Sequence, residues 1–174
     1  MNPFEQVALP HLHGRVLDLG CGLGNLSIEA ARRGASVVGV DASPTAIAHI
    51  RQVASTEQLA LKGTEADLDD YRIGDQFDAI AAIGLLMFFP EARALELLED
   101  IQRHVKPQGC AVINVLIEGT TYMGMFQPGH YYLFGRGELE RRFAGWKILE
   151  SIDQVFAAPD NTEKVFATVV AQRT

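Results

Sequence analysis

The sequence predicts an α/β fold whose mostly parallel sheet ends in an antiparallel hairpin. Short runs rich in β-branched and other apolar residues alternate with segments of helical periodicity, which is the order that joins parallel strands through helices. Near the end of the chain, the apolar segments 146–156 and 164–172 lie so close together that no helix fits between them. We therefore expect these two segments to pair antiparallel.

The parallel part of the sheet is predicted from strand patterns that follow one another along the first two thirds of the chain. They cover residues 15–19, 36–40, about 59–66, 77–84 and 110–117. The fourth of these patterns is apolar throughout, as is typical of a central parallel strand that is covered on both faces.

Helices are predicted between these strands and once more before the hairpin. They cover residues 25–33, a stretch that begins at Ser43, a stretch that begins at Pro90 and ends before Pro107 and Gly109, and residues 137–143. Gly34 stands where a left-handed helix cap costs little. Ser43 is a favourable N-cap, and Pro44 fits the first helical position.

Length and composition favour an ordinary globular enzyme or binding protein. The 174 residues suit one domain, 1–174. Lysine plus arginine is 15 and aspartate plus glutamate is 22, a net charge of −7, which argues against binding to nucleic acid. Cys21 and Cys110 are too few for a disulfide framework or a metal cluster, so no metal is expected. The longest apolar run, 79–89, is too short to span a bilayer of about 30 Å, and no signal-peptide pattern is visible, so we expect a cytoplasmic protein without a membrane partner.

A glycine-rich turn after the first strand is the strongest local signal. Gly20, Gly22 and Gly24 allow a tight turn and close approach of a ligand, and the following helix presents free N–H groups. A dinucleotide fingerprint has a third glycine where this chain has Asn25. Asp18, just before the turn, would repel a pyrophosphate but would attract an ammonium or sulfonium by a few kcal/mol at an effective dielectric of about 20. A purely structural turn, with Asp18 as its cap, is the alternative.

Further polar or small residues follow the later strands, where the carboxyl ends of a parallel sheet bind ligands. Asp41 can accept hydrogen bonds from both hydroxyls of a ribose, and Asp67 from an exocyclic adenine amine. Gly84 leaves room for a flat ligand. Each also has a structural interpretation, as a helix cap, an exposed loop carboxylate and a close packing contact. The predicted ligand contacts are Asp18, Gly20, Cys21, Gly22, Asn25, Asp41, Ala42, Asp67, Leu68, Ile83 and Gly84.

Together these residues resemble the class I S-adenosylmethionine-dependent methyltransferases. The first motif of that family is matched by Asp18-Leu19-Gly20-Cys21-Gly22-Leu23-Gly24, its acidic end of strand two by Asp41, and its strand-three acid by Asp67. The resemblance covers nearly the whole chain from about residue 15. It implies a Rossmann-like methyltransferase sandwich, with a seven-stranded, mostly parallel sheet, an antiparallel terminal hairpin and helices on both faces, and S-adenosylmethionine as the cofactor.

Within that class, the chain resembles the small tellurite-resistance and thiol methyltransferases. The segments that carry this likeness are Leu86-Met87-Phe88-Phe89 and Phe134-x-x-Gly137-Glu138-Leu139. The likeness implies methyl transfer to a small-molecule acceptor, with a thiol or chalcogen-type nucleophile favoured. No polymer partner is expected, and the protein is predicted to be a monomer or a weak homodimer.

The acceptor side is predicted in the irregular, aromatic-rich stretch 118–136, with a short entry or lid segment at 1–14. A soft nucleophile such as a thiolate needs little more than alignment, whereas a hydroxyl or amine needs a base. His130 is the candidate base, and Tyr122 and Tyr131 are candidates to orient the acceptor. A hydrophobic flap that merely covers the sheet end is an equal alternative. The alternative functions are an NAD(P)-dependent oxidoreductase and a non-catalytic nucleoside-binding protein.

Overall fold

A computed structural model describes residues 1–174 and contains one seven-stranded sheet. The strands are β1 (Arg15–Leu19), β2 (Ser36–Asp41), β3 (Leu61–Glu65), β4 (Phe77–Ile83), β5 (Val105–Leu116), β6 (Lys147–Ala158) and β7 (Thr162–Gln172). Their spatial order is β3-β2-β1-β4-β5-β7-β6. The pairs among β1 to β5 are parallel, and β7 runs antiparallel to both of its neighbours. The predicted mixed sheet with a terminal antiparallel hairpin is therefore confirmed.

Helices lie on both faces of this sheet. They are α1 (Pro3–Ala8), α2 (Asn25–Arg32), α3 (Pro44–Thr56), α4 (Glu91–His104) and α5 (Glu138–Arg142), with short 3-10 turns at Leu9–His11 and Leu86–Phe88. The first of these, α1, was not expected from the sequence. None of the helices combines the length and the apolar character that crossing a bilayer requires.

Local chemistry accounts for most of the helix boundaries. The Ser43 side chain accepts a hydrogen bond from the Ala46 N–H at 3.3 Å, and Pro44 opens α3 as predicted. In α1, the Asn2 side chain and the Glu5 side chain cap each other's backbone N–H groups, and Pro3 occupies the first turn. Gly34 has a φ of +94°, the left-handed conformation expected just after α2.

The start of β5 differs from the prediction. The sequence places a strand at 110–117 after a helix stop at Pro107, whereas α4 ends at His104 and β5 begins at once with Val105. Phe77 pairs with Val105, but Ala79 pairs with Cys110, so the chain between them bulges out of the ladder. Pro107 sits in this bulge, where the N–H it lacks is not needed for pairing.

Two apolar layers hold the helices against the sheet. The larger buries side chains of α4 and α5, such as Leu97 and Leu139, against one face of the sheet. The smaller buries Ala8 of α1 and Leu26 of α2 against the other face. Both layers include β4 side chains, Ile80 in the first and Ala81 in the second, and both residues are fully buried. The central position predicted for this strand is thus confirmed.

The terminal hairpin places β7 inside the sheet and β6 at its edge. The turn between them contains Asp160 and Asn161, with φ values of +58° and +56°. These left-handed residues match the right-handed twist of a tight hairpin, and both residue types tolerate that conformation.

Candidate functional site

The glycine turn leaves β1 with three residues in the left-handed region. Gly20, Gly22 and Gly24 have φ values of +67°, +52° and +80°. A Cβ on Gly20 would lie 2.8 Å from Leu85 Cδ1, and one on Gly24 would lie 2.6 Å from Ile50 Cγ1. A Cβ on Gly22 would meet nothing within 4 Å. The outer two glycines therefore serve packing, while the middle one faces open space where a ligand can approach the backbone.

Asp18 lies beneath this turn and is nearly sealed from solvent, with 3% of its surface exposed. Its Oδ2 accepts a hydrogen bond of 2.5 Å from the Ser27 hydroxyl on α2. Burial, reinforced by the neighbouring carboxylates of Glu5 and Asp41, raises the pKa of Asp18 from 3.8 to about 7, against the lowering effect of Ser27. No lysine or arginine forms an ion pair with this carboxylate. The site thus holds a buried acid without a positive partner.

Asp41, the last residue of β2, joins the glycine turn to the start of α3. Its Oδ2 accepts from the Gly22 N–H and its Oδ1 from the Ser43 N–H, both at 2.9 Å. The structural role considered for Asp41, a cap before α3, is therefore present. Each oxygen keeps a second lone pair, so acceptance from ribose hydroxyls is compatible with these bonds.

Cys21 and the small residues around it close the floor of the turn. A Cβ on Gly39 would lie 3.0 Å from Cys21 Sγ and 3.2 Å from Ser27 Oγ. Burial and the carboxylates of Asp18 and Asp41 raise the pKa of the Cys21 thiol far above its usual range. A thiol held protonated in this way is a poor nucleophile, so Cys21 contributes packing and backbone to the turn and not covalent chemistry.

The chain after β3 forms a tight turn at the same edge of the sheet. Asp67 Oδ1 accepts from the Asp69 N–H at 3.0 Å, and the Asp67 carbonyl accepts from the Tyr71 N–H at 3.0 Å. Asp67 is exposed, whereas Leu68 is buried. The predicted adenine contacts therefore lie in an ordered turn two strands away from the glycine turn, with the end of β2 and Asp41 between them.

At the end of β4, Ile83 and Gly84 are half-buried, and Gly84 has a φ of +65°. The Gly84 N–H donates to the carbonyl of Asn114 on β5 at 2.9 Å. Asn114 is fully buried, and its Nδ2 donates to Thr168 Oγ1 at 2.9 Å, but its Oδ1 has no hydrogen-bond partner. This orphaned acceptor beside Gly84 was missed, because an isolated asparagine in a strand carries no sequence signal.

The predicted acceptor side is an aromatic layer over the same edge. Tyr131 stacks on Phe126 at a ring distance of 5.0 Å, and Phe126 contacts Phe88 at 5.4 Å. His130 lies at an open cleft of about 430 Å³ between this layer and the turn after β3. The residues that line the cleft are Asp69, Phe88, Met125, Gln127 and His130. His130 therefore shares a cleft with Asp69, which follows the predicted adenine contacts Asp67 and Leu68, and Tyr131 lies behind it on Phe126.

Tyr122 lies at the same edge of the sheet, next to the hairpin turn and beyond the carboxyl end of β5. Its N–H donates to the Glu163 carbonyl at 3.1 Å, and its ring stands under Lys164 Nζ at 4.7 Å. The neighbouring Tyr132 bonds to both carboxylate oxygens of Glu138 at 3.0 Å, and burial together with this carboxylate raises the pKa of Tyr132 to about 12. His130 and Tyr131, which are neighbours in the chain, thus lie on the β4 side of this edge, and Tyr122 lies on the β7 side.

The N-terminal helix α1 packs at the carboxyl edge of the sheet, on the face that also carries α2. Phe4 contacts Phe156 of β6 and Phe166 of β7, with ring centroids 5.6 and 4.6 Å away. Met1 lines a groove that also contains Asn25, the first residue of α2. The sequence does contain a signal for this helix that was overlooked, because Asn2 and Glu5 have capping-box spacing around Pro3.

Comparisons with known proteins agree with this architecture. Residues 16–109 match the family described as "Methyltransferase domain". "Hemagglutinin 1" of Eikenella corrodens is 30% identical over 139 residues, which are 78% of this chain and 45% of that protein. A "Probable S-adenosyl-L-methionine-dependent methyltransferase TehB" of Haemophilus influenzae (strain 10810) is 24% identical over 166 residues, 91% of this chain and 57% of the relative.

A solved structure, that of TehB from Haemophilus influenzae, has a TM-score of 0.82 and 22% identity, and the match covers 98% of this chain and 61% of that chain. This likeness shows that the two proteins share a fold. The chain spans about half the length of the curated relatives that it matches, 45% and 57% for the two above.

Proposed function

This chain belongs to the methyltransferase domain family, and on that premise we propose that it transfers the methyl group of S-adenosylmethionine to a small-molecule acceptor. The observation that carries the proposal is the buried carboxylate of Asp18, which lies without a cationic partner next to the open face of Gly22. We further propose that the acceptor is a thiol or chalcogen-type nucleophile and that the reaction is an in-line displacement.

The residues at the glycine turn fit S-adenosylmethionine. Gly22 leaves space against the backbone, and a positive amino or sulfonium group would compensate the charge of Asp18. We propose that Asp41 accepts hydrogen bonds from the ribose hydroxyls. Asp67 would accept one from the exocyclic adenine amine, and Leu68 would contact the adenine ring edge. The remaining proposed contacts come from the same turn and from the end of β4. They are Gly20, Cys21, Asn25, Ala42, Ile83 and Gly84.

The same turn fits a dinucleotide poorly. A pyrophosphate at the start of α2 would approach Asp18, and its charge would add to those of Glu5 and Asp41, which already raise the pKa of Asp18. At any given distance, two like charges repel each other by about as much as two opposite charges attract. The oxidoreductase alternative is therefore disfavoured on electrostatic grounds.

When bound, the donor supplies an electrophilic methyl carbon whose transfer leaves a neutral thioether. The bond from that carbon to the donor sulfur breaks as the bond to the acceptor sulfur forms, so positive charge disperses. This chain's contribution is alignment and the exclusion of water. We propose that the stretch 118–136 covers the acceptor, with Tyr131 orienting it and His130 accepting a proton when the acceptor arrives protonated. We propose that Tyr122, beside the hairpin turn, orients the acceptor from the β7 side of the same edge.

A neutral thiol is favoured over an oxyanion by the charges that line the cleft beside His130. The cleft beside His130 contains the Asp69 carboxylate and neither lysine nor arginine. An anionic acceptor would meet repulsion there, whereas a neutral thiol would not.

Calorimetry with S-adenosylmethionine, S-adenosylhomocysteine and NAD tests the donor site. Binding of either adenosyl compound at least tenfold more tightly than NAD is expected, and the reverse order would overturn the proposal. A screen of small thiols, halides, chalcogen oxyanions, amines and carboxylates, read out as release of S-adenosylhomocysteine, tests the acceptor. Turnover confined to amines or carboxylates would refute the thiol assignment. The cytoplasmic location, the entry role of 1–14, and a monomeric or weakly dimeric state remain predictions.

A further inference from the structure

Arg93 on α4 occupies an unusual position for an arginine near a helix start. Only 9% of its surface is exposed. Its Nε and Nη2 donate to the Leu68 carbonyl at 3.1 and 2.6 Å, and Nη2 also donates to the Tyr71 carbonyl at 2.9 Å. Its remaining nitrogen, Nη1, reaches Glu96 at 3.0 Å. The guanidinium therefore joins α4 to the turn after β3 through backbone carbonyls that lie outside the strands of the sheet.

The peptide group between Leu68 and Asp69 links this guanidinium to Asp67. Its carbonyl accepts the fork of hydrogen bonds from Arg93, and its N–H donates to Asp67 Oδ1 at 3.0 Å. A peptide group is planar, so fixing its carbonyl also fixes the direction of its N–H. The Asp67 carboxylate is thereby held through Oδ1, and Oδ2 is left for a ligand.

We propose that Arg93 is a positioning residue for adenine recognition, which sets Asp67 and Leu68 to read the exocyclic amine and ring edge of the donor. This inference rests on the proposed donor site. Asp67 is exposed at the surface of a short turn and would otherwise sample many rotamers. A carboxylate aligned in advance binds an amine more tightly and rejects a base that lacks it, because an unpaired acceptor is left behind.

The neighbouring arginine provides a matched control. Arg72 also donates to the Tyr71 carbonyl, at 3.0 Å, and to Glu96, at 2.7 Å. It does not contact the peptide group between Leu68 and Asp69, and its side chain is 55% exposed. Replacing Arg72 therefore removes charge and a turn contact from the same place without releasing the link to Asp67.

The test compares S-adenosylhomocysteine with S-inosylhomocysteine, in which a carbonyl replaces the exocyclic amine. By calorimetry, the wild type is expected to prefer the adenosyl compound at least tenfold. Arg93→Met should reduce this preference to less than threefold, with little change in the affinity for the inosyl compound. Arg93→Lys, which keeps the charge but loses the planar fork, should give an intermediate preference, and Arg72→Met should keep the wild-type preference.

Amide hydrogen exchange supplies a second readout that needs no ligand. Faster exchange at Asp69 and Tyr71 is expected in Arg93→Lys than in Arg72→Met. Thermal melts establish that each variant is folded, and Arg93→Lys is used alone if Arg93→Met does not fold. If the wild type binds S-adenosylhomocysteine and Arg93→Lys keeps the full preference for it over S-inosylhomocysteine, this inference alone is overturned. Failure of the wild type to bind S-adenosylhomocysteine would instead overturn the proposed donor site and this inference with it.

Discussion

Replacing Asp18 by asparagine should stabilise the ligand-free protein at neutral and alkaline pH. The side chains have nearly the same shape, and the asparagine oxygen can still accept from Ser27, which lies 2.5 Å from Asp18 Oδ2. The pKa of Asp18 is raised from 3.8 to about 7 on folding, so the folded state holds its proton more tightly than the unfolded state between these values. Stability of the wild type must therefore fall as pH rises from about 4 to 7, and the amide removes that loss.

The size of the effect follows from the same pKa values. One proton difference gives a slope of about 1.4 kcal/mol per pH unit, and the full shift corresponds to about 4 kcal/mol above pH 7. Urea unfolding at pH 4 to 9, without ligand, should show the difference between Asp18→Asn and wild type growing from near zero to that plateau.

Asp153, exposed on β6, offers a matched control, since Asp153→Asn makes the same chemical change at a carboxylate that is not buried. The same Asp18→Asn substitution should weaken S-adenosylmethionine binding at pH 8 at least tenfold, so stability and affinity move in opposite directions. A stability difference that stays constant from pH 4 to 9 would refute the idea of an uncompensated buried carboxylate at this site.

Further substitutions test separate parts of the site. Asp41→Ala should weaken S-adenosylhomocysteine binding at least tenfold by calorimetry, since it removes ribose acceptors and the bonds to Gly22 and Ser43; unchanged affinity would exclude the ribose role. His130→Ala should lower turnover and leave donor affinity within twofold, and unaltered turnover would remove His130 as a base. Gly24→Ala should destabilise the protein by at least about 2 kcal/mol in urea unfolding, because the new Cβ would lie 2.6 Å from Ile50. Gly22→Ala, with open space around it, should cost about 1 kcal/mol of stability but impair donor binding. Equal losses of stability in the two variants would contradict this division of roles.

Much of the fold was predictable because its signals are local. Ser43 and Pro44 mark the start of α3, and the apolar run of β4 marks a strand covered on both faces. The short link at Asp160 and Asn161 leaves no room for a crossover helix, so the two strands it joins can pair only as an antiparallel hairpin. The bulge between Val105 and Cys110 was missed, since it depends on how β5 registers against β4 and not on the residues of the segment itself.

The candidate site divides in the same way. The glycine turn and Asp41 are recognisable because each follows a strand at a fixed spacing. Two hydrogen bonds of the site, from Ser27 to Asp18 and from Arg93 to the Leu68 carbonyl, join different elements of the fold. Neither a serine nor an arginine at these positions gives a sequence signal for such a bond. The contacts of Tyr122 illustrate the same limit, since the aromatic-rich stretch suggested its place at the acceptor side but not the backbone bond to Glu163 that fixes it beside the hairpin.

The position of β7 between β5 and β6 has a consequence for how the chain reaches its native state. The interior strand β7, Thr162–Gln172, is synthesised after the edge strand β6 with which it pairs. Until it arrives, β5 has a partner only on the β4 side and β6 has none, so their unpaired backbone edges make a chain stalled before residue 162 prone to associate with other chains. Pairing across the long span from Cys110 to Gln172 also favours slow, late closure.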